Sequence, residues 1–423
     1  MKVKNELRII SELSKKHTRL QTLIHLVNIE SLKEENRKTD SKKAVGIDGV
    51  TKEVYNEHLE ENLENLMKRM KAFRYRPKPT RRVEIPKENG KTRILGISSY
   101  EDKLVEGVMA DILSAVYEPR FHDCSYGFRP KRNMHQAIAK VNHSLMFEKI
   151  NYVIDCDIKG CFDNIDHKWQ TKFLENDIED RNFIRYVVRF LKSGIMNGNT
   201  LEANDVGTKQ GNKMSPVLAN VFLHYVLDNW VENYVRKNVD GNVRLVRFAD
   251  DFIILCQKQE TAERIFEALP RRFEKFGLEL NKDKSKILPF GRYKGTKETF
   301  DFLGFTFING KDIKGKYRVH INTSKKKMKK CKREIKKWLT GNMHSSITET
   351  MKQLVAKIRG HNNYYGISGN YKSIQKYYRY VKYGYYRILR RRGQKNPIKY
   401  KDYLRIWNAY KIPQPKVCVN IWY

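Results

Sequence analysis

The segment RFADDFIIL, residues 247–255, places two adjacent aspartates between apolar residues. Neighbouring carboxylates repel each other, and charged side chains are rarely buried in apolar strands unless something compensates for the charge. The longer stretch VRLVRFADDFIILC predicts two short strands joined by a turn that carries Asp250 and Asp251. A chain with this segment therefore needs a neighbouring positive group that offsets the repulsion between the two carboxylates.

A second acidic strand end lies earlier in the chain, in NYVIDCDIKGCFDNIDH. Alternation directs Tyr152, Ile154 and Cys156 toward a core and Asp155 and Asp157 to the other face. Carboxylates at the ends of neighbouring strands suit Mg²⁺, which completes its shell with water and phosphate oxygens. Two such ions about 3.5–4 Å apart can activate an attacking hydroxyl and stabilise a leaving oxygen. Bound metal would then offset the repulsion between the acids.

The charge balance predicts a polyanionic partner. The 423 residues include 84 Lys and Arg against 48 Asp and Glu, and the formal net charge is +36. Residues 323–423 hold 26 of these cations and only 3 of the acids. Nucleic acid is the first candidate and an acidic membrane surface the second. No apolar run approaches the length of a membrane span, which removes the membrane alternative.

Cysteine usage and the first residues both favour the cytoplasm. Six cysteines are scattered without a C-x-x-C pair, which argues against a zinc module and a disulfide framework. The opening MKVKNELRIISELSKKH has acids and no long apolar core, so neither a secretory signal nor a transit peptide is expected.

Hydrophobic periodicity predicts an α+β chain. Helical spacing appears in residues 1–40, 54–73, 102–117 and from Met134 onward. RRVEIPK and KTRILGI flank ENG, which is a hairpin signal, and LELNKDKSKI and TFDFLGFTFI are strand-like. Beyond Thr323 the pattern becomes helical and basic, so the main boundary is expected near 320–325.

Several motifs, taken in order, resemble those of a known family. DIKGCFD, QGNKMSPVLANVFL, FADD and FLGF are similar to the palm motifs of reverse transcriptases. IPKENGKTRILGI and SYGFRP are similar to the finger motifs of the group II intron-encoded branch. The resemblance runs from GIDG at 46–49 to about residue 310, and IRGHNNYYG and YVKYGYYRILRRRG extend it more loosely into the maturase, or thumb, region.

The resemblance implies a right-hand polymerase fold, with fingers and a palm built on an antiparallel sheet, followed by an α-helical thumb. The implied division is a helical N-terminal extension at 1–45, fingers and palm at 46–320, a thumb or maturase domain at 321–395, and a short basic segment at 396–423. The implied partners are structured intron RNA, an RNA template, a DNA primer or target, and dNTPs.

The resemblance also implies roles for single residues. Asp157 matches the first metal-binding aspartate, and Asp250 and Asp251 match the pair of the Y-x-D-D motif, so these three would hold two Mg²⁺ ions, or Mn²⁺ in their place. Phe162 matches the aromatic steric gate, which excludes a 2′-hydroxyl by a clash; an ordinary core phenylalanine is the alternative. Asp155, Asp163 and Asp166 have no implied role, and we expect them to be solvated or to cap turns.

The residues implied to bind the dNTP are Lys87, Arg93, Phe162, Gln210 and Lys284, the last as a proton donor to pyrophosphate. Those implied to contact nucleic acid are Arg129, Phe302, Gly304, Arg390, Arg391 and Arg392.

Lys87 and Arg93 flank the predicted hairpin turn, so the two strands can bring both cations to one anion. Surface charge is the alternative for both, and a buried core position is the alternative for Phe302.

Three departures from the family pattern stand out. Lys209-Gln210-Gly211-Asn212 replaces P-Q-G-G, which loosens the turn and restricts the backbone at the nucleotide pocket. Phe248 replaces a tyrosine and keeps the aromatic ring. No HNH endonuclease motif with paired cysteines follows the thumb, so second-strand nicking is not expected.

The sequence favours a reverse transcriptase with a maturase role over two alternatives. One is a domesticated relative in phage defence or beside a CRISPR array, for which the altered KQGN leaves room. The other is an RNA-binding splicing factor without polymerase activity, which could dispense with the acids and the gate. Within the basic end, the helical stripe of Tyr378, Val381 and Tyr385 is expected to be core, and Arg390–Arg392 are expected to contact RNA.

Removing the charges of Arg390–Arg392 should weaken binding to structured RNA and flatten its salt dependence, because fewer counterions are released. The measurement is RNA affinity of the triple glutamine variant across a salt series. Unchanged binding at every salt concentration would count against the assignment.

Overall fold

The computed structural model describes residues 2–86, 92–197, 200–202, 206–208, 211–393 and 396–422. Numbered in chain order, the α-helices are α1 (Lys2–Lys16), α2 (Ile29–Lys38), α3 (Lys52–Glu57), α4 (Leu59–Lys71), α5 (Tyr100–Tyr117), α6 (Met134–Phe147), α7 (His167–Asp177), α8 (Arg181–Leu191), α9 (Ser215–Leu223), α10 (Arg236–Asn238), α11 (Gln259–Glu274), α12 (Lys325–Gly341), α13 (Ile347–Tyr365), α14 (Tyr371–Arg392) and α15 (Tyr400–Ala409). The strands are β1 (Thr80–Pro86), β2 (Thr92–Ile97), β3 (Tyr152–Cys156), β4 (Ile195–Asn197), β5 (Thr200–Glu202), β6 (Val243–Phe248), β7 (Asp251–Cys256), β8 (Lys286–Pro289), β9 (Thr299–Phe302), β10 (Phe305–Lys311) and β11 (Tyr317–Thr323).

The central sheet has the order β6-β7-β3-β8, and every neighbouring pair in it is antiparallel. The predicted hairpin around the two aspartates is confirmed, with Phe248 paired to Asp251. The register of β3 on β7 pairs Cys156 with Phe252. Asp157, the next residue along, therefore lies at the same edge of the sheet as the turn that carries Asp250 and Asp251.

The two central strands, β3 and β7, bury apolar side chains on both faces, which explains the apolar run of β7 from Phe252 to Cys256. Ile154 and Ile254 pack into a cluster with helices α5 and α9, while Val153, Ile253 and Leu255 pack into a second cluster with α6 and the β9–β11 strands. Each fully buried aliphatic side chain contributes about 1.5–3 kcal/mol of hydrophobic stabilisation. This burial is what holds the acidic sheet edge in a fixed position.

The described residues form two further sheets, one of four strands and one of three. The predicted pairing of RRVEIPK with KTRILGI is confirmed, because β1 and β2 are antiparallel neighbours with Ile85 paired to Arg93. On its other side β1 pairs in parallel with β4, which pairs with β5. The strands β9, β10 and β11 form an antiparallel sheet in the order β11-β10-β9. The α+β class and the antiparallel palm expected from the sequence are both confirmed.

The amphipathic stretch at 54–73 is two helices instead of the one predicted. Helix α3 ends before His58, whose backbone leaves the helical region at φ −127° and ψ 42°, and α4 follows it. The Asn62 side chain donates to the Tyr55 carbonyl at 3.0 Å. A side-chain donor of this kind competes with the helical backbone hydrogen bonds, which gives the break a local cause.

Residues beyond Thr323 are helical, as predicted. Tyr378, Val381 and Tyr385 of α14 are buried against α12 and α13, so the expectation that this stripe is core is confirmed. Helix α15 packs into the same cluster, where Trp407 donates its indole N–H to the Tyr378 hydroxyl at 2.9 Å. The segment expected to be a short basic end therefore folds onto the preceding helices.

No helix in the described ranges is both long enough and apolar enough to cross a membrane.

The buried His361 makes stability depend on pH. Its ring stacks on Tyr377 at 3.7 Å between centroids, and neither ring nitrogen has a hydrogen-bond partner in the described part of the chain. Desolvation lowers the pKa of His361 to about 4, so the unfolded chain binds a proton at this site at a higher pH than the folded chain does.

We expect the contribution of His361 to be complete above about pH 6.5 and to fall by about 2 kcal/mol by about pH 5. His361→Phe should therefore show a smaller loss of unfolding free energy between these pH values in urea titrations. His58→Phe is the control, because the His58 side chain is 73% exposed. Equal pH dependence in wild type and His361→Phe would contradict this account.

Candidate active site

A cleft of about 360 Å³ opens at the acidic edge of the central sheet. Asp157 and Asp251, which the sequence predicted to meet, both line it. The described residues that line it are Asp155, Cys156, Asp157, Asp251, Asp283, Lys284 and Lys286. The antiparallel register of β3 on β7 is what brings these carboxylates together.

Burial and neighbouring carboxylates raise the pKa of both aspartates of the FADD turn. Asp251 is reached by solvent in the cleft, yet surrounding protein atoms desolvate it. Its pKa is raised, first by this desolvation and then by repulsion from Asp155, Asp250 and Asp157. Desolvation also raises the pKa of Asp250, with Asp157 adding to the rise. A positive ion would relieve this repulsion.

Asp155 departs from the expectation that it is solvated or capping. It is half-buried in the cleft, and desolvation raises its pKa to about 6. Asp166 does cap a turn, because its carboxylate accepts the Trp169 backbone N–H at 2.8 Å at the start of α7. Asp163 is exposed, as expected.

Lys284 contacts the predicted metal ligand directly. Its Nζ lies 2.8 Å from Oδ2 of Asp157, and Asn281 donates to the same oxygen at 3.2 Å. The Lys284 and Asp157 side chains are 66% and 48% exposed, so the ion pair is weak and the ammonium is free to move away.

The donor chemistry of the cleft fits a hard divalent cation, because carboxylate oxygens are what Mg²⁺ and Mn²⁺ prefer. Within the described ranges, no three His, Cys, Asp or Glu side chains are placed to hold a metal ion as they stand. Lys284 and Asn281 both contact Oδ2 of Asp157, so an ion that binds this oxygen would have to displace the ammonium.

Phe162 lies on the loop after β3, half-buried, with its ring edge-on to Phe128 at 6.3 Å between centroids. Its carbonyl accepts the Thr208 N–H at 2.7 Å. Gly207 has φ +87°, and a Cβ there would lie 2.6 Å from the Asp163 carbonyl oxygen. Because Gly207 has no side chain, residues 206–208 can lie close to the backbone of Asp163. The hydrogen bond from Thr208 then holds the loop that carries Phe162.

The finger residues predicted to bind a triphosphate are described in part. Arg93 is exposed on β2, and its charge offsets part of the rise in the pKa of Asp250, so it acts electrostatically on this palm carboxylate. Lys87 and Gln210 lie outside the described residues, as does Lys209.

Asn212, which departs from the family pattern, makes two hydrogen bonds through its side chain. It is buried, donates from Nδ2 to Oε1 of Glu106 at 2.8 Å, and accepts the Met214 N–H at 2.7 Å. The adjacent Gly211 has φ +109°, and a Cβ there would lie 2.9 Å from the Gly96 carbonyl oxygen. The glycine that this turn needs is thus Gly211, and the second position accommodates an asparagine.

Arg129 lies inside the protein, contrary to the predicted contact with nucleic acid. Its Nε and Nη2 each donate to the Glu118 carboxylate at 2.9 Å, and Nη1 donates to the carbonyls of His122 and Ser125. The SYGFRP motif uses this arginine to hold its own loop.

The FLGF segment is also largely internal. Phe302 is 1% exposed, which is the buried core position that the sequence left open. Gly304 has φ +81°, and its carbonyl accepts the Ser324 N–H at 3.0 Å.

The arginines at the end of α14 differ from one another. Arg390 and Arg391 are exposed, whereas Arg392 donates to the Ser345 carbonyl at 2.8 Å. Arg391 lines a groove of about 450 Å³ between α12 and α14. The other cations of this groove are Lys332, Lys336, Lys376, Arg379 and Arg387.

A second basic groove, of about 720 Å³, was missed by the sequence analysis. Its cations come mainly from α8, at helical spacing on one face, and they are Arg76, Arg181, Arg185, Arg189 and Lys192. Desolvation, with repulsion from Arg76, lowers the pKa of Arg189. The recurrence of Arg181, Arg185 and Arg189 every four residues was the available signal.

An antiparallel sheet with carboxylates at one edge, a hairpin beside it and a helical region after it define a polymerase of the right-hand class. A family model described as reverse transcriptase (RNA-dependent DNA polymerase) matches residues 85–307. The chain belongs to the reverse transcriptase family and is of the group II intron type, as the motifs indicated.

Three relatives illustrate the range of the match. Protein YkfC of Escherichia coli K12 is 31% identical over 74% of this chain and 91% of its own length. The group II intron-encoded protein LtrA of Lactococcus lactis is 36% identical over 45% of this chain, and the match spans only 32% of LtrA. A putative COX1/OXI3 intron 1 protein of Saccharomyces cerevisiae is 34% identical over 43% of this chain and 22% of its own length.

Proposed function

We propose that Asp157, Asp250 and Asp251 carry out the RNA-directed DNA polymerisation that characterises this family, by binding two divalent ions at the edge of the central sheet. The observation that supports this most directly is the single cleft in which the end of β3 and the start of β7 place their carboxylates. Desolvation and repulsion from neighbouring carboxylates raise the pKa of Asp250 and Asp251, which indicates a site built for positive charge.

In the proposed reaction the 3′-hydroxyl of a primer attacks the α-phosphate of a dNTP, and pyrophosphate leaves. Bound Mg²⁺, or Mn²⁺ in its place, would activate the hydroxyl and neutralise charge on the phosphates. Asp157 and the two aspartates of the turn would provide the oxygen ligands. Lys284, once released from Asp157, would donate a proton to the leaving pyrophosphate, and its contact with Asp157 supports a place for it beside the metal ligands.

Phe162 is proposed to select deoxynucleotides. Its ring contacts Phe128, and its backbone carbonyl accepts the Thr208 N–H, which supports a fixed loop from which the ring would clash with a 2′-hydroxyl. Lys87, Arg93 and Gln210 are proposed to bind the dNTP, Lys87 and Arg93 through its phosphates and Gln210 beside the nascent base pair.

We further propose that residues 321–395 act as a thumb and maturase region that binds structured intron RNA, aids its splicing and supports priming at a DNA target. The basic groove between α12 and α14 supports this, because it lines up cations without an equal number of acids. The groove along α8 lies outside this region and is proposed as a second RNA-binding surface. LtrA, described as intron-encoded, supplies the analogy. The comparisons do not favour a domesticated relative or a splicing factor without polymerase activity.

Asp250→Asn should reduce primer extension on an RNA template with dNTPs and Mg²⁺ by about 100-fold or more, since a metal ligand loses its charge. Asp240→Asn is the matched control, because the Asp240 side chain is 89% exposed and pairs only with Lys258 among the described residues. Equal extension by wild type and Asp250→Asn would remove the site assignment.

Phe162→Ala should raise the use of ribonucleotides relative to dNTPs by about 10-fold or more, because the clash with the 2′-hydroxyl is lost. The measurement is kcat/KM for a single NTP and the matching dNTP on one primed RNA. Phe128→Ala is the matched variant, because it removes the ring that contacts Phe162 and keeps the Phe162 side chain itself. No gain in ribonucleotide use by Phe162→Ala would refute the gate.

A further inference from the structure

Arg247 forms a fully buried ion pair directly behind the FADD turn. The Arg247 and Asp228 side chains are both 0% exposed. Nε and Nη2 of the arginine donate to the two Asp228 oxygens at 2.7 and 2.5 Å. Hydrophobic residues of similar volume often stabilise a protein as well as a buried ion pair does. Stability alone therefore does not explain this pair.

The remaining donors of Arg247 reach three other segments. Nη1 donates to the Ala249 carbonyl and to Oδ1 of Asn220, both at 2.9 Å, and Nη2 donates to the Ser125 hydroxyl at 2.8 Å. A guanidinium has five N–H donors, and all five are used inside the protein. A lysine at this position could not bind the same set, because its donors share one nitrogen.

The Ala249 carbonyl belongs to a constrained turn. Ala249 has φ +58°, a left-handed conformation that residues with a Cβ adopt rarely. Gly127 of the SYGFRP motif packs against it so closely that a Cβ on Gly127 would lie 2.3 Å from the Ala249 nitrogen. Asn220, itself bound by Arg247, donates to the Gly127 carbonyl at 2.7 Å. The peptide leading into Asp250 is thus held from two sides.

We infer that Arg247 is a positioning residue for polymerisation: its bond to the Ala249 carbonyl orients the turn that carries Asp250 and Asp251, and Asp228 keeps the guanidinium in place. The inference rests on the proposed role of these two aspartates. A displacement of about 1 Å at a reacting centre can cost about 100-fold in rate, so a single backbone hydrogen bond here has a measurable effect.

The first test is the double variant Arg247→Met/Asp228→Leu, which removes both charges together. We expect it to fold with a lowered melting temperature, because Asn220, Ser125 and the Ala249 carbonyl lose their donor, to lose about 10- to 100-fold in kcat, and to keep its KM for dNTP within about 3-fold. Mn²⁺ binding to the free protein, followed by the paramagnetic resonance signal of unbound Mn²⁺, should weaken by about 10-fold.

The matched control is Arg120→Met/Asp177→Leu, a pair 16% and 6% exposed whose contacts do not line the carboxylate cleft. It should leave kcat and Mn²⁺ affinity unchanged. Arg247→Lys keeps the charge opposite Asp228 and loses the bond to Ala249, so it should also lower kcat even if the double variant does not fold.

Wild-type kcat and Mn²⁺ affinity in a folded double variant, or wild-type kcat in Arg247→Lys, would overturn the inference. An inactive wild-type protein would instead overturn the proposed function, and the Mn²⁺ titration would still test the role of Arg247.

Discussion

The antiparallel register of β3 on β7 is the constraint on which the site depends. Burial of the apolar side chains of both strands fixes this register, because a slip of one residue would turn every core side chain to the opposite face. With Cys156 opposite Phe252, the acids that follow one strand and precede the other meet at one edge. Packing of the hydrophobic cores thus brings the carboxylates of Asp157, Asp250 and Asp251 together in spite of their mutual repulsion, as the proposed metal site requires.

Much of this arrangement could be predicted from the sequence. Alternation and turn residues identified the palm strands and the finger hairpin, since both signals are local. The motifs and their order predicted that Asp157 lies close to the aspartates of the FADD turn. Helical spacing correctly placed Tyr378, Val381 and Tyr385 in a core. These successes share one property, which is that the pattern and the structure have the same period.

The remaining features depend on contacts distant in sequence. A motif identifies Arg129 but does not show that its side chain turns inward to Glu118. The break at His58 depends on one side-chain donor, Asn62, which periodicity does not detect. The fit of Asn212 depends on Glu106 of another helix, so the sequence indicated a departure without indicating its partner. Tertiary partners decide such positions, and no local signal encodes them.

The last residues of the chain limit how the helical region and the palm can move. Trp407 lies in the core of the C-terminal helices, whereas Ile421 is buried beside α6, where its carbonyl accepts an N–H from Asn142 at 3.4 Å. Between them, residue 419 bridges to Ile367. Along its length the segment is also bonded to Asn362, through the Gln414 carbonyl at 2.9 Å, and to the Gly366 carbonyl, through the Val419 N–H at 3.0 Å. It therefore joins the core of the C-terminal helices to the core that contains α6, and a displacement of one core relative to the other would have to break these hydrogen bonds.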